Sequence, residues 1–337
     1  MTMNYNKKTT LLLSSLLLSF TQLFAQQLSF NSQKTFKIVQ FTDVHWVPGN
    51  TESEVAAEIM NEVLDAEKPD LVVYTGDIIF AKPASQALDA ALAPTIKHNI
   101  PFAVVFGNHD DEQDMTRNQL FEYIKNKPGN LTNTTQGITG VTNYVLPLKS
   151  STENKDAAIL YFLDSNTYSP LSNVKGYDWI KSDQISWYKR TSDSFKKENS
   201  GNPLPAVAFY HIPIPEFSDA ITSDTARFVG TRKEKVSSPK LNSGLFTAMM
   251  EQGDIIANFV GHDHVNDYVA YWNGILLGYG RFTGGKTVYN DIPGGNGARV
   301  IELKEGSRSL KTWERLKGGR IVNVVEFPSD FMETKTN

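Results

Sequence analysis

The chain contains no cysteine. That excludes disulfides, thiolate-held iron–sulfur clusters and thiol catalysis, and it leaves core packing as the main source of stability. Positive charge is short as well: 33 Lys and Arg stand against 37 Asp and Glu, for a formal net charge of −4. An acidic surface argues against general nucleic-acid binding, which needs Lys and Arg to displace counterions from phosphate. Histidine is scarce, with six in 337 residues, so the places those six occupy carry information. Apolar residues are not scarce. With 40% hydrophobic and 11% aromatic residues, the chain can bury a large core.

Long apolar runs are rare, and the one at the N-terminus stands apart. Lys7 and Lys8 precede a leucine-rich, serine-broken stretch that ends at Leu23–Phe24–Ala25. A basic start, a short apolar segment and a small residue at the end read as a secretory signal peptide over residues 1–25. The stretch is too short and too broken for a comfortable membrane span. The alternative is an N-terminal anchor that stays attached. Removal of the segment takes the net charge to −6, because it carries two lysines and no acid. The expected protein is therefore exported, periplasmic or secreted, with no membrane span in the mature chain. No repeat or low-complexity linker follows, so residues 34–328 read as one domain and 329–337 as a loose polar tail.

Apolar periodicity places the elements. Phe36–Phe41, Asp70–Tyr74 and Pro101–Phe106 read as strands, separated by helices that start near Thr51 and Ser85. Thr51–Glu52–Ser53–Glu54 has the form of a capping box. Strand, helix, strand, helix, strand argues for an α/β fold with parallel strands and right-handed crossovers. The second half is strand-rich: Ala157–Leu163, Pro205–Tyr210, Ile255–Val260, a hairpin Tyr268–Trp272 and Ile275–Tyr279, and Val300–Leu303. Helices are expected over Asp183–Lys197 and Asn242–Gln252.

Five of the six histidines lie just beyond a strand. Asp43 and His45 follow Phe41, Gly76 and Asp77 follow Tyr74, and Gly107, Asn108 and His109 follow Phe106. His211 follows Tyr210, and Gly261, His262, Asp263 and His264 follow Val260. The carboxyl edge of an open α/β sheet is where ligands bind. On extended backbone, residues i and i+2 point to one side. That pairs Asp43 with His45 and His262 with His264, and turns Asp263 away. Imidazole nitrogens and carboxylates suit Zn, Mn and Fe. A Ser–His–Asp triad needs one histidine, not four. The donors outnumber what one tetrahedral ion needs, which favours two ions, with His262 and His264 serving different ones. Each block alone is weak; their joint occurrence, each behind its strand, carries the reading.

The series Asp43–Val44–His45, Gly76–Asp77, Gly107–Asn108–His109–Asp110, His211 and Gly261–His262–Asp263–His264 resembles the five ligand blocks of the calcineurin-like metallophosphoesterase superfamily. The resemblance spans most of the chain and is closest to the purple-acid-phosphatase-like branch. It implies a four-layer α/β/β/α sandwich with two mixed β-sheets. It also implies that Asp43, His45, Asp77 and His264 hold one metal, and that Asp77, Asn108, His211 and His262 hold the other, with Asp77 bridging. His109 looks like the family histidine that contacts phosphate and protonates the leaving oxygen. Purple acid phosphatases place a metal-bound tyrosine three residues after the bridging Asp, where this chain has Phe80, and usually a Gly where it has His45. A phenylalanine cannot ligate, so no tyrosinate–ferric colour is expected and the metals stay open among Mn, Fe and Zn. The implied activity is hydrolysis of a small phosphorylated substrate, a monoester first and a diester as the alternative. A non-catalytic metal-binding scaffold is the remaining possibility. Arg281 is a candidate phosphate clamp, since guanidinium matches phosphate oxygens in pairs. Asp110 and Asp111 read as capping or solvating groups of the next helix, and His98 as a helix end.

Overall fold

A computed structural model describes residues 27–332. The expected signal segment, residues 1–25, and positions 333–337 of the expected tail lie outside the described residues. The elements run β1 Thr35–Phe41, α1 Thr51–Glu67, β2 Leu71–Thr75, α2 Ala84–Lys97, β3 Phe102–Val105, α3 Arg117–Ile124, β4 Tyr144–Lys149, β5 Asp156–Phe162 and α4 Ser182–Glu198. They continue β6 Ala206–Phe209, α5 Glu216–Thr222, β7 Phe228–Val229, α6 Leu245–Gln252, β8 Ile255–Val260, β9 Val269–Trp272, β10 Ile275–Tyr279, β11 Gly297–Lys304, β12 Leu310–Leu316 and β13 Ile321–Phe327.

Two mixed sheets result. One has the order β13-β12-β11-β1-β2-β3, the other β4-β5-β6-β8-β10-β9-β7. In the first, β1, β2 and β3 are parallel and β11 joins β1 antiparallel. In the second, β5, β6, β8 and β10 are parallel. Strand periodicity explains the layering. Phe36 and Ile38 of β1, Leu71 and Val73 of β2 and Ala103 and Val105 of β3 meet Leu160, Phe162, Val207, Phe209 and Phe259 of the other sheet. The alternate residues, Val39, Phe41, Val72, Tyr74, Phe102 and Val104, face α1 and α2. Ile159, Ala208 and Leu277 of the second sheet face α4, α5 and α6. Residues two apart share a face and neighbours take opposite faces, so each inner strand is apolar on both sides. Three apolar interfaces between four layers make the α/β/β/α sandwich.

Helix α1 buries Ala56, Ile59, Met60, Val63 and Leu64, a 3.6-residue stripe. Its cap differs from the expected box by one position. Asn50, not Thr51, is the N-cap and accepts from Glu52 N–H at 2.9 Å, while the Glu52 carboxylate accepts from Lys286 N–H. Lys68 takes a left-handed φ of 48° and Pro69 follows, which ends the helix. Helix α6 starts at Leu245 rather than Asn242, because Gly244 turns left-handed and Asn242 Oδ1 accepts its N–H. Ser329 to Phe331, expected as part of a loose tail, are ordered into the fold. Ser329–Phe331 forms a 3-10 turn, and Phe331 is buried against Phe327 and Tyr271.

Candidate metal centre

All the parallel strands that carry donor residues end on one edge of the sandwich. The loops after β1, β2 and β3 come from one sheet, those after β6 and β8 from the other. Asp43 N–H donates to Gly76 O and His45 N–H to Asp77 O, which zips the first two loops together. Gln40 Nε2 reaches across to Val260 O at 2.9 Å, tying the sheets behind the site.

The donors converge through strained backbone rather than extended strand. Asp43, His45, Asp77 and His262 all have positive φ, at 54°, 47°, 50° and 81°. A non-glycine residue avoids that region unless its surroundings impose it, and such residues gather at functional sites. Asp43 and His45 fall in one donor set, whereas His262 and His264 fall in different ones, and the extended geometry invoked for both pairs is absent at Asp43, His45 and His262. Gly107 shows how tight the packing is. A Cβ there would lie 2.4 Å from Asp77 N and collide with the Asp77 carboxylate. Gly76, at φ 89°, would collide with Gly107.

Two donor sets form, and they share one residue. Asp43, His45, Asp77 and His264 bring one donor atom each within 4.8 Å of one another, and so do Asp77, His211 and His262. His45 Nε2 lies 3.1 Å from His264 Nε2 and 3.7 Å from Asp77 Oδ2. His264 Nε2 is 3.6 Å from Asp43 Oδ1. On the other side, His211 Nε2 is 3.2 Å from Asp77 Oδ2 and 3.2 Å from His262 Nδ1. Asn108 is buried beside them, and its Oδ1 has no hydrogen-bond partner among the described residues.

The surrounding bonds aim these atoms. His211 Nδ1–H donates to Thr75 O at 2.7 Å and His264 Nδ1–H to Tyr289 O at 2.8 Å, so Nε2 of each is the nitrogen left to ligate. Asp43 accepts from Thr42 Oγ1 at 2.7 Å and from His262 N–H. Asp77 Oδ1 accepts His109 N–H at 2.8 Å, which leaves Oδ2 facing both sets. Imidazole nitrogens this close, with the second nitrogen bonded in His211 and His264, and an orphaned buried amide oxygen fit metal ions better than they fit one another. Burial pushes His45 and His262 well below the usual histidine range and His264 down to about 4. All three are neutral at pH 7, the form that binds metal. His211 differs: burial acts to lower it, but the Asp77 charge and hydrogen bond lift it to about 9. That pairing in turn outweighs burial at Asp77 and holds its carboxyl well below its ordinary range. A metal ion at Nε2 would have to displace the His211 proton.

The neighbours sort differently. Asp263 turns away as expected, accepting from Tyr279 OH at 2.6 Å and Ser237 N–H. Asp110 is neither a surface cap nor solvated. It is fully buried and accepts four backbone N–H groups, from Gly107, Asp77, Ile78 and Ile79. Arg281 is corrected outright. It is buried, and Nε, Nη1 and Nη2 are engaged by Gly295 O, Asp267, Glu314 and Pro293 O. No donor remains for a phosphate oxygen. His98 ends its helix, bonded to Pro94 O and Asp65. His109 lies at the rim, with its ring 5.6 Å from that of His45. Sequence reasoning missed the aromatic rim. Phe80 packs edge-on to His45 and His109, Tyr177 to His262, and Tyr289 stacks on His264 at 4.4 Å. Of these, Phe80 was named only as a position that cannot ligate, and nothing in the spacing of Tyr177 and Tyr289 marks them.

Residues 36–266 match the family model described as calcineurin-like phosphoesterase. The chain belongs to that family. A protein of Arabidopsis thaliana named probable inactive purple acid phosphatase 29 is 37% identical over 332 residues, covering 86% of this chain and 85% of its own. The protein named phosphatase DCR2 of Saccharomyces cerevisiae is 35% identical over 329 residues, covering 87% of this chain and 56% of the yeast one. Among solved structures, a dimetal phosphatase from Danio rerio superposes with a TM-score of 0.60 at 13% identity, over 86% of this chain and 98% of that one. At that identity the likeness concerns the fold.

Proposed function

We propose that this phosphoesterase-family chain is an active, binuclear metal-dependent hydrolase of phosphate esters, with a phosphomonoester as its first substrate class. The observation that carries the reading is Asp77 Oδ2, which faces both donor sets at once. Asp43, His45, Asp77 and His264 would hold one ion, and Asp77, Asn108, His211 and His262 the other, from among Mn, Fe and Zn. Bound there, a metal pair supplies Lewis-acid charge for the phosphoryl oxygens and lowers the pKa of water toward neutrality. The chain's own residues do the rest. Thr75 O and Tyr289 O hold the ligating histidines in one tautomer. His109, about a third exposed at the rim, delivers a proton to the leaving oxygen through Nε2, the nitrogen with no protein partner among the described residues.

The word inactive in the plant relative's name favours a second reading, a metal-binding protein without turnover. The intact donor sets support the catalytic one. Hydrolysis of p-nitrophenyl phosphate and bis-p-nitrophenyl phosphate by protein loaded with Mn, Fe or Zn separates the readings, with His211→Ala as the blank. Faster monoester turnover is expected. Faster diester turnover moves the reading to a phosphodiesterase, and rates equal to the blank leave the scaffold. Export through residues 1–25 belongs to the same proposal. N-terminal sequencing of protein recovered outside the cytoplasm should start after Ala25; a retained Met1 contradicts it.

A further inference from the structure

Glu112 has both carboxylate oxygens committed at the edge of the site. Oε2 lies 2.6 Å from His109 Nδ1. Oε1 accepts the Tyr168 hydroxyl at 2.8 Å. The same hydroxyl oxygen accepts from Asn108 Nδ2 at 3.2 Å. One carboxylate thus reaches His109 directly and Asn108 through a single hydroxyl. We propose that Glu112 and Tyr168 are the positioning pair of this site, holding His109 with Nε2 as its free nitrogen and holding Asn108 with Oδ1, not Nδ2, turned toward His211, Asp77 and His262. The inference rests on the phosphoesterase reading above.

The chemistry of the three partners makes the arrangement directional. A neutral imidazole carries its proton on either nitrogen, and a carboxylate beside Nδ1 places that proton on Nδ1. An amide offers two ends of nearly equal size, one donating and one accepting. Donation by Asn108 Nδ2 requires an acceptor. Tyr168 OH serves as that acceptor because its own proton is given to Glu112. The polarity of the whole chain of bonds is therefore set at Glu112. Local structure supplies the reach, since Glu112 closes the 3-10 turn Asp110–Glu112 and stands three residues after His109, where side chains eclipse. Both side chains are about a third exposed. An exposed pair adds little to stability, so the value of this one lies in orientation.

In the reaction, His109 in its imidazolium form, with Nδ1–H held by Glu112, gives its Nε2 proton to the ester oxygen as the P–O bond breaks. It is left as the Nδ1-protonated tautomer, and the bond's electron pair stays on the ester oxygen. Water oxygen bonds to phosphorus, and the proton water releases balances the one His109 gives, so the net change is addition of water. A misaligned His109 penalises substrates whose leaving group needs the proton and spares those whose leaving group departs as a stable anion.

Zinc-loaded protein and its Glu112→Ala, Glu112→Gln and Tyr168→Phe variants would be assayed on phenyl phosphate and on 2,4-dinitrophenyl phosphate. Glu112→Ala is expected to lower kcat on phenyl phosphate about 10- to 100-fold and to change it less than about threefold on the dinitrophenyl ester. Glu112→Gln, which keeps an oxygen acceptor, should recover part of that loss. Equal losses on both esters overturn the role assigned to His109 orientation. Tyr168→Phe should keep the wild-type leaving-group dependence but weaken one of the two zinc sites about tenfold; two unchanged zinc affinities overturn the Asn108 half. Nitrogen-15 spectra of the histidines in the zinc-loaded protein give a reading that needs no turnover. In its neutral form, read at a pH above its titration, His109 should be Nδ1-protonated in the wild type and a tautomer mixture in Glu112→Ala. An unchanged His109 tautomer in the variant overturns the inference. If the wild type hydrolyses neither ester, the phosphoesterase reading falls, while the tautomer and zinc affinities still judge the positioning pair.

Discussion

At the scale of single residues, Asp77 matters most, because it is the one donor common to both sets and its backbone conformation is strained for the purpose. Asp77→Ala is expected to reduce bound metal from two ions per chain to less than one, as counted by atomic emission spectroscopy after dialysis; retention of both ions would contradict the shared role. Phe80, three residues on, packs on His45 through its ring edge and offers no oxygen. Iron-loaded protein should therefore show no tyrosinate band in its visible spectrum, and a strong one would contradict this assignment. The donor residues were legible in the sequence because Asp, Asn and His stand directly behind apolar strands, a placement that burial alone does not require. Arg281 was misread by the same logic. It also follows a strand, but its partner Glu314 stands 33 residues away, and no local pattern announces a pairing at that distance.

At the scale of elements, the site is a junction of loops, and one buried side chain holds two of them. Asp110 accepts N–H groups from the loop after β2 and from the loop after β3. Asp110→Ala leaves those donors buried and unpaired, and should cost about 3–5 kcal/mol in urea unfolding as well as metal affinity. A loss below about 1 kcal/mol would return Asp110 to the capping or solvating role expected from the sequence. The strands bearing the site were read within a residue or two, since each is mostly apolar. Others were not. β12, Leu310–Lys311–Thr312–Trp313–Glu314–Arg315–Leu316, carries charge at Lys311, Glu314 and Arg315, and its buried Glu314 makes sense only beside Arg299 and Arg281. β13 is an edge strand, exposed along much of its length, so it shows little of the alternation that marks a half-buried strand. The α1 cap moved by one residue because Asn50 and Thr51 are both good caps, and the bond to Glu52 N–H decides between them.

At the scale of the whole molecule, the layers are joined by buried polar groups as well as by apolar packing. Glu67, at the end of α1, accepts from Trp313 Nε1 at 3.0 Å and pairs with Arg315 and Lys37, so one carboxylate ties the helix layer to both β12 and β1. Burial acts to raise its pKa, but the bonds from Trp313 and Arg315 and the charges of Arg315 and Lys37 outweigh it and hold it below its ordinary value of 4.5. A carboxylate with a depressed folded pKa contributes stability above its unfolded pKa and loses it as pH falls through the folded one. Thermal stability should therefore fall on acidification below about pH 4.5, and Glu67→Gln should be less stable at neutral pH and show a shallower acid limb. An identical acid limb in the variant would remove Glu67 from that account. Four-layer architecture was implied by the motif resemblance; strand and helix order alone led only to a parallel α/β core. The pairing of β1 with β11 and the closing of one sheet over the other come from contacts between residues more than two hundred positions apart, such as Gln40 with Val260. The measurement that tests the central claim most directly is p-nitrophenyl phosphate turnover followed while metal is titrated into metal-free protein. The account predicts little turnover after the first equivalent, a rise with the second and a plateau at two per chain, with Asp77→Ala flat throughout. A plateau at one equivalent, or no turnover at two, would contradict a shared two-metal centre that hydrolyses phosphate esters.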